Sequence, residues 1–179
     1  KCPNALTLPF AYGSTQEANP WFLDAEVFYR FMERLGPLVR KTGLFMFQFA
    51  YLNRSVVTKR YDFEQKLQHF IRMLPDNLAY AVEIRNPQWL DATWFDFLQL
   101  NNIAPVLVSG YWMDGLEETL KLLLNTSIPK LCIRLHGDDR SGIEQKTGRR
   151  WDKLVKNKDG ELDSIAPYLV ELAKQGRIV

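Results

Sequence analysis

An α/β fold built around a parallel sheet is what this sequence predicts, and three observations predict it. Apolar runs alternate with amphipathic helical patterns along the chain, and strand–helix–strand order at this spacing means βαβ units. No GxGxxG or GxxxxGK-S/T follows any of the runs, so the nucleotide-binding versions of that architecture have no support. The runs also set small or polar residues on one face against large apolar residues on the other, since strand side chains alternate between faces. An open doubly wound sheet packs helices on both faces and needs both oily. In a TIM-type (β/α) barrel the oily face meets the helix ring, while polar groups line the mouth. The barrel is therefore the expected form, incomplete here, with about five of the parallel strands flanked by helices. A full barrel takes about 250 residues, and this chain has 179. Residues 1–179 are read as a single domain, a fragment of such a barrel; the missing initial Met and the terminal apolar RIV agree with that.

Each element has its own grounds. The helix of 24–37 carries Val27, Phe28, Phe31, Met32 and Leu35 on one stripe, with Asp24 as N-cap and Gly36-Pro37 as its stop. The strand LFMFQFA (44–50) sets Phe45, Phe47 and Phe49 against Gln48 and Ala50. A helix read from Asp62, with Gln65 completing a variant capping box, places Phe63, Leu67, Phe70, Ile71 and Leu74 on one face. AYAVEIR (79–85) opposes Tyr80, Val82 and Ile84 to Ala81, Glu83 and Arg85. The helix of 91–102 supplies Trp94, Phe95 and Leu98 and breaks at Asn101-Asn102. APVLVSG (104–110) is the third strand, and a helix opening on Asp114 with Glu117 buries Leu116, Leu120, Leu123 and Leu124. KLCIRLHG (130–137) opposes Leu131, Ile133 and Leu135 to Cys132, Arg134 and His136. A long polar loop follows, with a short helix around Trp151; the last helix, 163–176, ends on Gly176 at the C′ position, and 177–179 opens a fifth strand.

Composition narrows the function. A net charge of +2 is too small to announce a nucleic-acid partner. Cys2 and Cys132 show no paired spacing, which points to reduced thiols and a cytoplasmic protein. No apolar run reaches the length of a membrane span and no signal peptide opens the chain, so no membrane partner is expected.

The C-terminal ends of barrel strands form the working face. Gln48, Glu83, Arg85, Arg134 and His136 fall at such ends and share the inward parity. Arg85 and Arg134 offer permanently charged forks for a carboxylate or phosphate. Glu83 can act as a general base or orient Arg85, and His136 can move a proton near neutral pH. The bland alternative is a buried Glu–Arg pair present because neither charge is buried alone. A metal centre is disfavoured: His69 reads as a helix-surface residue, leaving His136 with Glu83 and Asp138, short of a zinc set. Cys132 lies one layer deeper and reads as packing. Trp89 and the pair Tyr111-Trp112 follow strand ends, where they either stack on a sugar or base or cap the rim. Lys146, Arg149, Arg150, Lys153, Lys156 and Lys158 make the one basic cluster, interspersed with acids, and read first as a solvated face.

The segments LGPLVRKTGLFMFQF, LAYAVEIRNPQWL and LCIRLHG resemble the YecE-like family, known as domain of unknown function 72, in its L-F-Q strand, its A-V-E-I-R-x-P-x-W strand and turn, and its R-L-H-G strand. The opening KCPNALT resembles the family's K-x-P-x-x-x-T segment, which implies Lys1 at the mouth and Thr7 just outside it. The resemblance implies a (β/α) barrel lacking its first strand, most of its second and its closing strands. Phe49-Ala50 stands where prolines are common, and Ser109 where an acid is frequent. The combined expectation is an enzyme without a cofactor, with Glu83 and His136 exchanging protons and Lys1, Gln48, Arg85, Trp89 and Arg134 holding a small anionic or sugar-like substrate. Hydrolase, lyase and isomerase chemistry all stay open. Two rivals remain: a nucleic-acid-binding protein using the basic loop, and a non-catalytic barrel module.

Overall fold

Strands Phe45–Gln48 (β1), Tyr80–Glu83 (β2), Ile103–Ser109 (β3) and Cys132–Leu135 (β4) form one parallel sheet in the order β1-β2-β3-β4. The structure, a computed structural model, describes residues 1–177 apart from Thr15, Tyr111, Asp114, Asp138, Asp139 and Trp151, with the backbone alone of Arg140. Helices Ala25–Leu35 (α1), Arg60–Arg72 (α2), Ala92–Leu100 (α3), Leu116–Leu124 (α4), Arg140–Thr147 (α5) and Asp159–Lys174 (α6) accompany the sheet. Four of the expected five strands are described; the fifth was expected at 177–179, where Ile178 and Val179 lie outside the described residues.

The two faces of the sheet differ as alternation requires. Phe45, Phe47, Tyr80, Val82, Ile103 and Leu107 join the main core with residues from the helices. The opposite face carries Ala81, Ala104 and Val106, with Leu44, Met46 and Cys132 packed against them. Phe28 of α1 anchors the first face, its ring centroid 5.5 Å from Phe45, 5.8 Å from Phe47 and 6.0 Å from Tyr80. Burying one such ring stabilises the fold by about 1.5–3 kcal/mol, and tilted or edge-on contacts add about 0.5–1.5 kcal/mol.

Helix ends show where local signals held and where they were overruled. The Asp24 carboxylate accepts from the backbone N–H of Glu26 (2.7 Å) and Val27 (3.2 Å), capping α1 as expected. Asp91 likewise caps α3 by accepting from the Trp94 N–H at 2.9 Å. The capping box at Asp62 is corrected: α2 begins at Arg60, with Asp62 inside the first turn. Arg60 holds that turn by pairing with Glu64 at 3.0 Å and with Asp91 of the next helix boundary at 2.8 Å. For α4 the N-cap is Gly115, at φ 84°, and the expected Asp114 lies outside the described residues. The short helix expected around Trp151 is also corrected. A helix of the polar loop lies earlier, at Arg140–Thr147, and Trp151 lies outside the described residues.

The last helix starts at Asp159 rather than 163, with Asp159 and Glu161 in its first turn, where the helix dipole favours acids. It ends as expected. Gly176, at φ 78°, donates to the Ala173 carbonyl at 2.9 Å and Arg177 donates to that of Leu172 at 3.1 Å, the Schellman pattern.

Candidate functional site

The candidate site lies at the C-terminal ends of β1, β2 and β4. Register fixes it: Gln48 pairs with Glu83 across β1 and β2, and Arg134 lies opposite Val108 across β3 and β4. Glu83 has no solvent exposure. Its Oε1 accepts from Arg85 Nε at 2.7 Å and its Oε2 accepts from Arg134 Nη1. The same Nη1 reaches Gln48 Oε1 at 3.4 Å. A carboxylate this buried is tolerated because both oxygens meet charged donors; otherwise desolvation would force it to stay neutral. Exposure then rises outward, with the Arg85 side chain 11% exposed and that of Arg134 31%.

His136 follows Arg134 at the next position of the same parity. Its backbone N–H donates to the Ser109 carbonyl at 2.8 Å, which holds the end of β4 against β3. Burial pushes the imidazole pKa below the usual 6.5; the positive charges of Arg134 and Arg85 push the same way, Glu83 opposes them, and Lys158 adds a smaller push downward. His136 is therefore a neutral imidazole at neutral pH. Gly110, at φ 99°, makes room for it, since a Cβ there would sit 3.1 Å from both the Cβ and the carbonyl oxygen of His136.

Three further residues escaped the sequence reading as members of this neighbourhood. Lys158, just before α6, donates to Ser109 Oγ at 3.2 Å and to Glu161 Oε2 at 2.6 Å. It belonged to a basic run that reads as solvated, and only the return of the chain to the sheet end distinguishes it. Asn86 is fully buried; its amide donates to the Leu52 carbonyl at 3.0 Å and accepts from the Leu52 N–H at 2.9 Å, tying the loop after β2 to the loop after β1. Gly110 is the third, and its only sequence signal was its place after a strand.

The remaining candidates lie elsewhere. Lys1 is exposed at the start of the chain, where Cys2 N–H donates to the Met46 carbonyl at 2.9 Å; it is not joined to the Glu83 cluster. Thr7 is buried at the end of a 3-10 turn. Trp89 lies half-buried on the helix side, 5.7 Å from Phe63 and 6.5 Å from Trp94, apart from the charged cluster. Tyr111, Asp138 and Asp139 lie outside the described residues. His69 is exposed on α2, and Cys132 packs among small apolar residues, with burial raising its thiol pKa. Cys2 is buried more deeply and its thiol is pushed up to about 12. Lys146, Arg149, Arg150, Lys153 and Lys156 are exposed, and Arg150 pairs with Asp152 at 2.7 Å. Among the described residues no group of three or more His, Cys, Asp or Glu is placed to hold a metal ion, and no helix is long and apolar enough to cross a membrane.

A parallel α/β sheet with a charged cluster at its C-terminal strand ends is thus the class of protein that fold and site define. The chain belongs to the DUF72 family: residues 10–179 match the family model described as Protein of unknown function DUF72. No curated protein matches it. It is similar in fold to the crystal structure of a DUF72 family protein from Thermotoga maritima MSB8, with 21% identity and a TM-score of 0.59, over 86% of this chain and 56% of that one. A DUF72 family protein from Enterococcus faecalis V583 is similar at 17% identity and a TM-score of 0.56, over 87% of this chain and 60% of that one. The chain spans less than two thirds of the length of either.

Proposed function

We propose that the chain forms part of a (β/α) barrel enzyme that binds a small anionic substrate at the C-terminal strand ends and moves a proton through His136. The observation that supports this is the sealed carboxylate of Glu83, whose two oxygens hold two different arginines, one of them open to solvent. A pair present only to neutralise itself needs one arginine; the second adds positive charge beside an imidazole. In this reading Arg134 and Arg85 attract the anion, Gln48 and Glu83 hold the guanidinium groups in place, and neutral His136 accepts the proton. Burial leaves Glu83 no path to a substrate, so the geometry favours its orienting role over that of a base.

The test is turnover. The protein is incubated in deuterated water with a panel of small hydroxy acids, keto acids and sugar acids, and product formation or deuterium incorporation is followed by proton NMR. One or more of these is expected to react, with the rate abolished in His136→Ala while far-UV circular dichroism stays unchanged. Equal rates in that variant, or an inert panel, would remove the proton-transfer reading. The exposed basic loop is the support for a nucleic-acid partner, and oligonucleotide binding that weakens steeply with salt would favour it instead.

A further inference from the structure

We infer that the anion is a carboxylate, received in bidentate fashion by the Nε–Nη2 edge of Arg134. The inference rests on the anion-binding reading above and deepens it by naming the ligand's chemistry and the atoms that meet it.

Arg134 Nη1 is committed on both sides, to Glu83 Oε2 and to Gln48 Oε1 at 3.4 Å. Two acceptors on one nitrogen fix the plane of the guanidinium. Among the described residues, Nε and Nη2 of Arg134 meet no acceptor. These two N–H groups point in parallel from one edge, at a spacing that matches the two oxygens of a carboxylate. The side chain is 31% exposed, so a solute can reach it.

Of the other two described cations near the imidazole, Arg85 gives its Nε to Glu83 and Lys158 does not extend the fork. Lys158 already donates to Glu161 Oε2 and Ser109 Oγ, at 2.6 and 3.2 Å. Among the described residues Arg134 thus keeps one planar two-donor edge, which suits a planar monoanion. A tetrahedral phosphate carries up to about two charges near pH 7 and three strong acceptor oxygens, and this edge serves it incompletely. Gln48 and Glu83 act as positioning residues, since both work through Arg134.

The experiment uses the whole protein labelled with nitrogen-15. The Arg134 Nε–H resonance is assigned by its loss in Arg134→Lys and followed during titration with sodium acetate and, separately, inorganic phosphate at constant ionic strength. Acetate is expected to shift it downfield in a saturable way, with an affinity about tenfold above that of phosphate. In Arg134→Lys, which keeps the charge and loses the fork, acetate binding measured by calorimetry is expected to fall about tenfold. Gln48→Met leaves the Glu83 ion pair in place and is expected to weaken acetate about two- to fivefold by loosening the guanidinium plane; it decides the matter if Arg134→Lys fails to fold. Phosphate binding as well as acetate overturns the carboxylate assignment, and a resonance that no anion moves overturns the role of Arg134. An inert His136 with a shifting Arg134 sinks only the proton-transfer reading, so the two failures are separable.

Discussion

Glu83→Gln tests the core of the site most directly. The substitution keeps the shape and one oxygen acceptor but turns the other arm into an NH2 donor facing a guanidinium. A hydrogen bond to a charged group contributes about 1.5–3 kcal/mol, and removing one partner of a buried ion pair costs about 3–5 kcal/mol. The figure belongs at the lower end because the arginines are unequal. Arg134, at 31% exposure, can turn toward water and recover hydration, whereas Arg85, at 11%, recovers little. The expected loss is therefore about 3 kcal/mol, a large share of the roughly 5–15 kcal/mol that holds a typical domain.

Urea unfolding followed by tryptophan fluorescence reads this loss. With an m value of about 1–3 kcal/mol/M, the midpoint is expected to fall by about 1–3 M. A double-mutant cycle with Arg134→Met adds the decisive comparison. Removing the second charge in the Glu83→Gln background should cost less than removing it from the native chain, because Glu83 and Arg134 are partners. A Glu83→Gln loss under about 1 kcal/mol, or strictly additive substitutions, would refute the claim that this carboxylate holds both guanidinium groups.

Gly110→Ala is expected to destabilise by about 2 kcal/mol, since it combines a positive φ with a Cβ pressed on His136; a shifted His136 ring resonance by NMR accompanies it, and an unmoved resonance speaks against the contact. Asn86→Ala leaves the buried Leu52 N–H and C=O without partners and should cost about 2–4 kcal/mol in urea unfolding. Asn86→Asp, which buries a carboxylate without a charged donor and sets one oxygen against the Leu52 carbonyl, should recover none of it. His136 gives a pH dependence of definite sign: its folded pKa lies below the unfolded 6.5, so the unfolded chain binds the proton first. Stability contributed by this group is present above pH 6.5, falls as the pH drops below that value, and levels off below the folded pKa. His136→Gln should remove that component from the pH profile of the urea midpoint, and an unchanged profile contradicts the depressed pKa.

Strand parity was legible because its period is fixed by the backbone. Alternation placed Phe45 and Phe47 toward the helices and Ala81 and Cys132 on the other face, and it grouped Glu83 with Gln48 and Arg134 before any partner was known. A helix cap was legible where the capping residue acts within its own first turn, as at Asp24. The start was not legible at α2, where Arg60 reaches thirty-one residues along the chain to Asp91, an interaction no local pattern encodes. The same holds for Lys158, whose contact with Ser109 spans forty-nine residues. Trp89 shows the converse: its place after a strand and a proline suggested the rim, while the packing of Phe63 and Trp94 drew the ring to the helix side.

The arrangement also explains why a neutral histidine can coexist with so much positive charge. Glu83 is needed to keep Arg85 and Arg134 together, and the two arginines with burial keep His136 unprotonated. A negative charge placed beside Arg134 offsets part of that guanidinium's influence on the imidazole, so anion binding and proton uptake by His136 favour each other. In the reading proposed above, the empty site thus holds its base ready, and the bound anion stabilises the imidazolium that forms once the proton has moved. One buried carboxylate sets both properties, by fixing where the positive charge stands.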